Sequence, residues 1–251
     1  MPLPWRKKWN IYYLYQPAFI QQAGIISPEP AGEKLIREFI KLAAIHYRYA
    51  AITLNSGNSI RHITGANISS RNNYIIRLND TLPAFAHKGE YFPKRYRRAL
   101  KNNLTYVSET NFSFAINLYR KLYGSRLPAF KKRDYDNFAK ICKFFAEEKN
   151  LIIRKVQHGN ETVALVLMLR FKNRLYNMIS CILETGKKLL ANYFLYGKLL
   201  EELSGENQIL DLEGSDVAGI KFFYEKMAHE NHPYPSISYN HLPKMIRLLK
   251  K

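Results

Sequence analysis

The strongest constraint on the fold is a run of three predicted β-strands between residues 151 and 182. The segments LIIRKVQ, ETVALVLMLRF and RLYNMISCIL are rich in the residue types that favour strands. His-Gly-Asn and Lys-Asn separate them, and both are good hairpin turns. The pattern predicts three consecutive strands joined by tight turns in the second half of the chain.

The segments around these strands predict how the second half is organised. Two amphipathic helices are expected before them, at residues 112–123 and 134–149, and a helix that is apolar nearly all round is expected after them, at 189–203. A short strand then leads through Asp-Leu-Glu-Gly-Ser into a last helix. The predicted order is therefore α-α-β-β-β-α-β-α.

The first half of the chain repeats this organisation in a shorter form. Strands are expected at residues 10–16, 47–54 and 72–78, with an amphipathic helix at 30–47. The two halves together predict an α+β protein with two lobes of similar construction, at residues 1–110 and 111–251. No stretch between them is rich enough in Gly, Ser or Pro to let the lobes move freely.

Composition argues against a disordered chain, a membrane-spanning protein and a disulfide-rich secreted protein. The 251-residue chain is 47% hydrophobic, enough for a packed core, and no apolar run reaches the length of a membrane span. The first residues lack the apolar region and cleavage site of a signal peptide. Cys142 and Cys181 both lie in apolar-periodic segments, which predicts buried thiols rather than a disulfide. These features predict a cytoplasmic protein.

The net charge of +19 is distributed along the whole chain. Residues 1–110 hold 16 basic and 6 acidic residues, and residues 111–251 hold 23 and 14, so the two excesses are +10 and +9. This evenness excludes a disordered basic tail as the source of the charge. It favours a phosphate-rich partner or an anionic membrane surface.

One predicted helix, FPKRYRRALKNNL at residues 92–104, concentrates part of this charge. Its four outward basic residues fall within about 100° of one another on a helical wheel. They are Lys94, Arg97, Arg98 and Lys101. The opposite side carries Tyr96, Ala99 and Leu100, which predicts a buried face. The basic stripe suits phosphate groups, although a solvated basic face is an equally good interpretation.

A second candidate anion site is ETGKK, where Gly186 follows a strand at the mouth of a predicted helix. Backbone amides at such a position, with Lys187 and Lys188 beside them, would attract a diphosphate or another anion. The signal is weak because one glycine is not a motif. The segment matches neither a P-loop nor a dinucleotide-binding fingerprint.

The third candidate is the junction at residues 211–216. Strand alternation predicts that Asp211 and Glu213 point to the same side. Ser215 or Asp216 is expected to cap a helix that begins near Val217. Glu213 is better explained as a hydrogen-bond acceptor or base in a cleft.

The histidines do not predict a metal site. The seven of them show no HExxH spacing. His229 and His232 are three residues apart, but no cysteine or third ligand lies near them in the sequence.

Two parts of the sequence resemble a known family. LPAFAHKGEYFPKRYRRALKNNLTYVSE looks like the basic helix-and-strand motif of the Fem family, the peptidoglycan-bridge aminoacyltransferases. The stretches VALVLMLRF, ANYFLYGKLLEEL and ILDLEGSDVAGIKFFYEK resemble the C-terminal lobe of these proteins and of the wider bacterial GNAT-type acyltransferases. The resemblance implies two tandem GNAT-like lobes, each a mixed, largely antiparallel sheet flanked by helices. The first residues look like an internal segment of such proteins, so the first lobe is expected to be incomplete.

The resemblance also implies a reaction and roles for individual residues. The reaction would be transfer of an acyl or aminoacyl group from acyl-CoA or aminoacyl-tRNA to an amine, for example on a lipid-linked cell-wall precursor at the inner membrane face. Glu213 would orient or deprotonate the amine, and Tyr224 would protonate the leaving group or donate to the oxyanion. The residues expected to hold the donor are Gly186, Lys187, Lys188, Asn192 and Lys226. The residues expected to hold an anionic acceptor or tRNA are Lys94, Arg95, Arg97, Arg98, Lys101 and Ser215.

Two other functions remain open on the sequence. The place of the GNAT pyrophosphate loop holds a single glycine, which favours a basic nucleic-acid-binding protein on a catalytically inactive GNAT-like scaffold. Regularly spaced base-stacking aromatics would support that function, and the sequence has none. A protein-interaction module with a blocked cleft is the third interpretation. The sequence does not identify the donor or the acceptor.

Overall fold

The structure is a computed structural model, and it describes residues 1–29, 31–80, 90–214, 216–228, 230–243 and 247. The chain divides into two compact units. The first unit comprises residues 1–73 and 232–251, and the second comprises residues 74–231. Ser215 and His229 lie outside the described residues.

The first unit is a five-stranded sheet with one described helix of fourteen residues, in the strand order β1-β2-β3-β12-β4. Strands β2 and β3 are parallel, and the other neighbours are antiparallel. The elements are β1 (Trp5–Lys8), β2 (Ile11–Tyr15), α1 (Glu33–His46), β3 (Tyr49–Thr53), β4 (Asn67–Arg71) and β12 (Tyr234–Asn240). Ile36, Ile40 and Ala43 recur on one face of α1 and pack with the sheet.

The second unit is built on a seven-stranded sheet in the order β11-β5-β10-β9-β8-β7-β6. Its strands are β5 (Tyr74–Arg77), β6 (Leu104–Glu109), β7 (Leu151–His158), β8 (Glu161–Phe171), β9 (Arg174–Ile182), β10 (Ile209–Asp211) and β11 (Glu230–Asn231). Its helices are α2 (Tyr91–Ala99), α3 (Phe112–Tyr123), α4 (Lys132–Glu147), α5 (Glu184–Lys188), α6 (Ala191–Glu202) and α7 (Ala218–Glu225). Strands β9 and β10 are parallel, and the other neighbours are antiparallel.

The core of the second unit forms because β8 is apolar on both of its faces. Every residue from Val163 to Leu169 is buried. Alternation places Ala164, Val166 and Met168 in one cluster with residues of α2, α6 and α7. Leu165 and Leu167 alternate with these three residues along β8 and are also buried. Helices α3 and α4 contact β8 as well.

The predicted fold class is confirmed, with α+β content and two mixed, largely antiparallel sheets flanked by helices. The three strands predicted between residues 151 and 182 are β7, β8 and β9. The compact units divide the chain elsewhere than at residue 110, because β6 pairs with β7 and belongs to the second sheet. None of the described helices is long and apolar enough to cross a bilayer.

Three details of the predicted elements were wrong. Leu100, predicted on the buried face of the basic helix, is 47% exposed and follows the end of α2 at Ala99. ETGKK is not an open turn but the short helix α5, in which Gly186 is buried. Helix α7 begins at Ala218 with Val217 as its N-cap, so Asp216 is not the capping residue.

Helix α6 packs against α2 through a close contact that only glycine allows. A Cβ atom at Gly197 would lie 2.3 Å from the ring of Tyr96, which is itself buried. Tyr96 cannot easily move, because its hydroxyl donates to Glu201 at 2.6 Å. Gly197 therefore fixes the distance between the basic helix α2 and the core.

We predict that Gly197→Ala destabilises the protein. The added methyl group overpacks the contact with Tyr96, at a cost of about 1–3 kcal/mol that exceeds the roughly 1 kcal/mol gained in helix propensity. Chemical denaturation of the two proteins measures the difference. Gly219→Ala in α7 is the matched control, since the added Cβ there meets no other described element within 4 Å. Equal stability of Gly197→Ala and the wild type would contradict this packing argument.

Candidate functional site

The candidate site lies where the parallel strands β9 and β10 separate. They pair at only three positions, ending with Asp211 opposite Tyr176. Beyond Tyr176, β9 continues to Ile182, and no strand among the described residues pairs with it on that side. In open sheets, ligands bind beyond the carboxyl ends of parallel strands, where neighbouring connections diverge.

A β-bulge in β9 changes which side chains of this strand share a face. Leu167 pairs with Ile179 and Met168 pairs with Asn177, so Met178 is an extra residue in β9. Asn177 and Ser180 are three residues apart and would point to opposite faces of a regular strand. The bulge brings both within hydrogen-bond distance of the Tyr196 hydroxyl.

Asn177 is the centre of a buried polar network. Only 5% of the residue is exposed, and its Nδ2 donates to the hydroxyls of Tyr196 at 2.7 Å and Tyr224 at 3.3 Å. The Tyr196 hydroxyl lies 3.4 Å from Oγ of Ser180. Oδ1 of Asn177 is buried and has no hydrogen-bond partner among the described residues. A buried acceptor of this kind is suited to receive a donor from a ligand.

Packing of aromatic rings sets the position of Tyr224. Its neighbour Phe223 lies among the rings of Phe92, Tyr193 and Tyr196, at centroid distances of 5.1 to 6.0 Å. Burial raises the pKa of Tyr224 well above its usual range. The phenol therefore keeps its proton at physiological pH and can act as a hydrogen-bond donor or acid.

Two carboxylates and an arginine form the other side of the site. Asp211 is 1% exposed, and its Oδ2 lies 2.6 Å from Nη1 of Arg174. Oδ1 of Asp211 accepts the backbone N–H of Glu213 at 2.9 Å. Glu213 has a φ of +57°, an uncommon value for a residue with a side chain. Because β10 ends at Asp211 and Glu213 adopts this left-handed conformation, the regular alternation of the strand does not extend to Glu213.

Glu213 has the chemistry of a general base. Its pKa is raised to about 8, chiefly by burial and also by the negative charge of Asp211, while Arg174 opposes the shift. Its charge in turn contributes to the raised pKa values of Tyr224 and Tyr176. The two residues predicted to be catalytic, Glu213 and Tyr224, therefore influence each other electrostatically.

A second group of predicted residues meets around Tyr91, at the start of α2. Arg95 lies over the Tyr91 ring at 5.3 Å from its centroid, and Nζ of Lys226 is 6.0 Å from the same centroid. Lys226 also lies 5.2 Å from the ring of Phe222. Neither cation forms an ion pair with any residue that the structure describes. We call Tyr91, Arg95, Phe222 and Lys226 the Tyr91 cluster.

The other residues predicted to bind anions are exposed, paired with a nearby carboxylate, or packed against the sheet. Lys94, Arg98 and Lys101 are exposed, and Arg97 lies 3.5 Å from Glu90. Lys187 pairs with Glu184 on α5, Lys188 is exposed and Asn192 is half-buried in the first turn of α6. Gly186 has a packing role, since a Cβ there would lie 2.2 Å from the carbonyl oxygen of Val163. Within the described ranges, no group of three or more metal-ligating side chains is arranged to hold a metal ion.

Sequence reasoning missed Asn177, Ser180, Tyr196 and Arg174. Asn177 could have been found from the sequence, because RLYNMISCIL places its amide inside an apolar strand. The bulge at Met178 has no comparable signature.

No protein-family model matches the sequence, and no curated protein matches it. Solved structures do share the fold. FemX is 12% identical with a TM-score of 0.58, over 99% of this chain and 86% of its own. L-PGS from Bacillus licheniformis is 13% identical with a TM-score of 0.55, over 98% and 83%. The C-terminal domain of a candidate lysylphosphatidylglycerol synthetase from Agrobacterium fabrum is 11% identical with a TM-score of 0.56, over 98% and 82%.

These likenesses confirm the predicted relation to Fem-like proteins at the level of the fold. The chain has the fold that FemX and the lysylphosphatidylglycerol synthetase domain adopt. Identities of this size carry no residue-by-residue assignment.

We predict a pH-dependent effect of Glu213→Gln on stability. The raised pKa of Glu213 means that the folded state holds this proton more tightly than the unfolded chain. Wild-type stability therefore declines as pH rises from about 5 through 8, while the uncharged glutamine avoids that loss. The variant should gain stability relative to wild type between pH 5 and pH 9, as measured by denaturant unfolding at both values.

Glu161→Gln, at an exposed position in β8, is the control. Its stability difference from the wild type should stay nearly constant between the two pH values. A constant difference for Glu213→Gln as well would show that Glu213 has no raised pKa in the folded protein.

Proposed function

We propose that this protein is an aminoacyltransferase that transfers an aminoacyl group to an amine, with its reaction centre where β9 and β10 separate. The observation that carries the proposal is a carboxylate with a pKa raised to about 8, Glu213, just beyond the end of β10, together with the buried phenol of Tyr224 in a hydrogen bond with Asn177. General bases work best when their pKa lies near the operating pH. The shared fold with FemX supports a transferase.

The chemistry assigns one proton transfer to each residue. Glu213 takes a proton from the acceptor amine, and the amine nitrogen attacks the carbonyl carbon of the donor ester. A C–N bond forms, and the carbonyl oxygen becomes an oxyanion that the Tyr224 hydroxyl stabilises. As the C–O bond of the ester breaks, Tyr224 supplies a proton to the leaving alkoxide oxygen, which departs as a hydroxyl group. The unpaired Oδ1 of Asn177 accepts a hydrogen bond from the bound amine.

The donor is proposed to be an aminoacyl-tRNA rather than acyl-CoA. Gly186 is buried in α5 against Val163, so the segment predicted to hold a pyrophosphate does not form an open glycine loop. The Tyr91 cluster and the exposed basic residues of α2 instead offer several cations to a longer phosphate backbone. The cell-wall or lipid nature of the acceptor rests on the resemblance alone.

We predict that Glu213→Gln lowers turnover by roughly 10²- to 10⁴-fold and leaves tRNA binding unchanged, because the loss of a general base affects the chemical step. Tyr224→Phe should lower it by roughly 10²-fold. The assay follows labelled amino acid from bulk charged tRNA into amine-containing precursors extracted from bacteria. Wild-type kcat/KM should rise with pH towards a plateau above about pH 8, and this rise should be absent in Glu213→Gln.

Tyr119→Phe is the matched control for the phenol, since Tyr119 lies on α3 and takes no part in the proposed reaction. Wild-type turnover by Glu213→Gln would overturn the role of Glu213. Saturable binding of acetyl-CoA that tolerates salt, with equal binding of charged and uncharged tRNA, would overturn the choice of donor.

The Tyr91 cluster gives a separate prediction about binding. Arg95→Gln combined with Lys226→Gln should weaken tRNA binding and reduce the dependence of log K on log salt by about one unit for each phosphate that is no longer neutralised. Filter binding across a salt series measures both quantities. Lys140→Gln combined with Lys143→Gln on α4 changes the charge equally and should have little effect. Equal weakening in the two double variants would show that the cluster binds no phosphate of its own.

A further inference from the structure

The hairpin formed by β1 and β2 extends past the sheet of the first unit. The two strands pair from Trp5 opposite Leu14 to Lys8 opposite Ile11, with Trp9 and Asn10 as the turn. Strand β3 pairs with β2 only at Tyr13, Leu14 and Tyr15. Within the described part of the chain, the turn end of the hairpin, residues 7–12, therefore has no neighbouring strand on the β3 side.

This overhanging end exposes aromatic side chains. Trp5 is 53% exposed, Trp9 is 66% exposed and Tyr12 is 42% exposed. Trp9 occupies the turn with a φ of +49°, a position that normally favours asparagine or glycine. Exposed indole rings on an extension that adds nothing to the core indicate a surface that makes contact with another structure.

The same end is positively charged. Arg6, Lys7 and Lys8 are the basic residues of the hairpin, and the chain contains no acidic residue before Glu29. Lys7 and Lys8 form no ion pair with any residue in the described part of the chain. Their ammonium groups lie instead over aromatic rings, at 5.0 Å from the centroid of Tyr12 and 4.5 Å from that of Trp9.

The geometry favours a lipid surface over a nucleic acid. Bases stack on open ring faces, but a lysine covers a face of both Tyr12 and Trp9. Trp5 and Tyr12 meet edge to face at 66°, so they form no flat platform. Tryptophan and tyrosine beside lysine are the residues that settle at the headgroup level of a bilayer, with the cations towards lipid phosphates.

We propose that the turn end of the β1–β2 hairpin docks onto a bilayer surface that contains anionic phospholipid. Trp9 at the tip, with Trp5 and Tyr12 behind it, enters the headgroup region. Lys7 and Lys8 contact the phosphate groups there. This docking is independent of the reaction centre, since every residue it uses belongs to the first unit.

Vesicle flotation tests this proposal with the full chain. The protein should float with vesicles of phosphatidylcholine and phosphatidylglycerol, and much less with vesicles of phosphatidylcholine alone. Lys7→Gln combined with Lys8→Gln should lower the partition coefficient about 30-fold, because each surface lysine contributes similarly and additively. Trp5→Ala combined with Trp9→Ala should lower it roughly tenfold.

Matched variants control for charge and for aromatic area. Lys140→Gln with Lys143→Gln on α4, and Phe144→Ala with Phe171→Ala, remove comparable groups from exposed positions of the second unit. Both should float like wild type. Circular dichroism and thermal unfolding verify that each variant is folded. We expect all of them to fold, because the substituted side chains are exposed.

Three outcomes would overturn the proposal. The first is wild-type flotation by both hairpin variants. The second is an equal loss of flotation in the control variants, which would indicate attraction by net charge alone. The third is an absence of flotation together with a hairpin-dependent affinity for a single-stranded oligonucleotide, which would assign the surface to nucleic acid.

Discussion

The separation of β9 and β10 after three residue pairs is the feature on which the candidate site depends. Had the two strands continued side by side, their backbone groups would have paired and no opening would exist between them. The bulge at Met178 adds the second condition, because it turns Asn177 and Ser180 to the same side. A sheet that ends its pairing early and shifts its register at the same place presents polar side chains inside an otherwise apolar core.

Local burial outweighs the overall charge of the protein at this site. A net charge of +19 would favour ionised carboxylates everywhere on the surface. At Glu213, desolvation and the neighbouring Asp211 act in the opposite direction, and the single charge of Arg174 does not compensate for them. Arg174 is also already engaged by Asp211 at 2.6 Å. The pKa of Glu213 is therefore set within a few ångströms of the group, where screening by solvent is weakest.

The cations of the two units differ in their surroundings. In the Tyr91 cluster, two cations share one phenol ring, and α2 is held close to α6 by the contact between Tyr96 and Gly197. In the β1–β2 hairpin, the cations lie over rings that are themselves exposed on an overhanging turn. A rigid helix suits the fixed spacing of phosphates along a nucleic acid, whereas a projecting hairpin suits a surface without fixed spacing. We therefore propose different partners for the same residue types, because the elements that carry them differ.

The sequence by itself determined the fold class and most of the elements of the second unit. Alternation, helical periodicity and turn residues are local signals, and β7 to β9 formed where those signals placed them. The sequence also predicted Glu213 and Tyr224 as candidate catalytic residues, since an acid after a strand and an aromatic helix can both be recognised in the sequence. It failed at ETGKK, where close packing of Gly186 on Val163 replaced the expected open turn with a helix.

Only the tertiary structure decided which residues share the site. Asn177, Tyr196 and Tyr224 come from β9, α6 and α7, and a register shift of one residue determines that they meet. The left-handed backbone of Glu213 and the early end of β10 likewise depend on pairing with distant strands. Contacts between residues far apart in the chain leave no periodic trace in the sequence, because their cause is the packing of whole elements rather than the preference of any one segment.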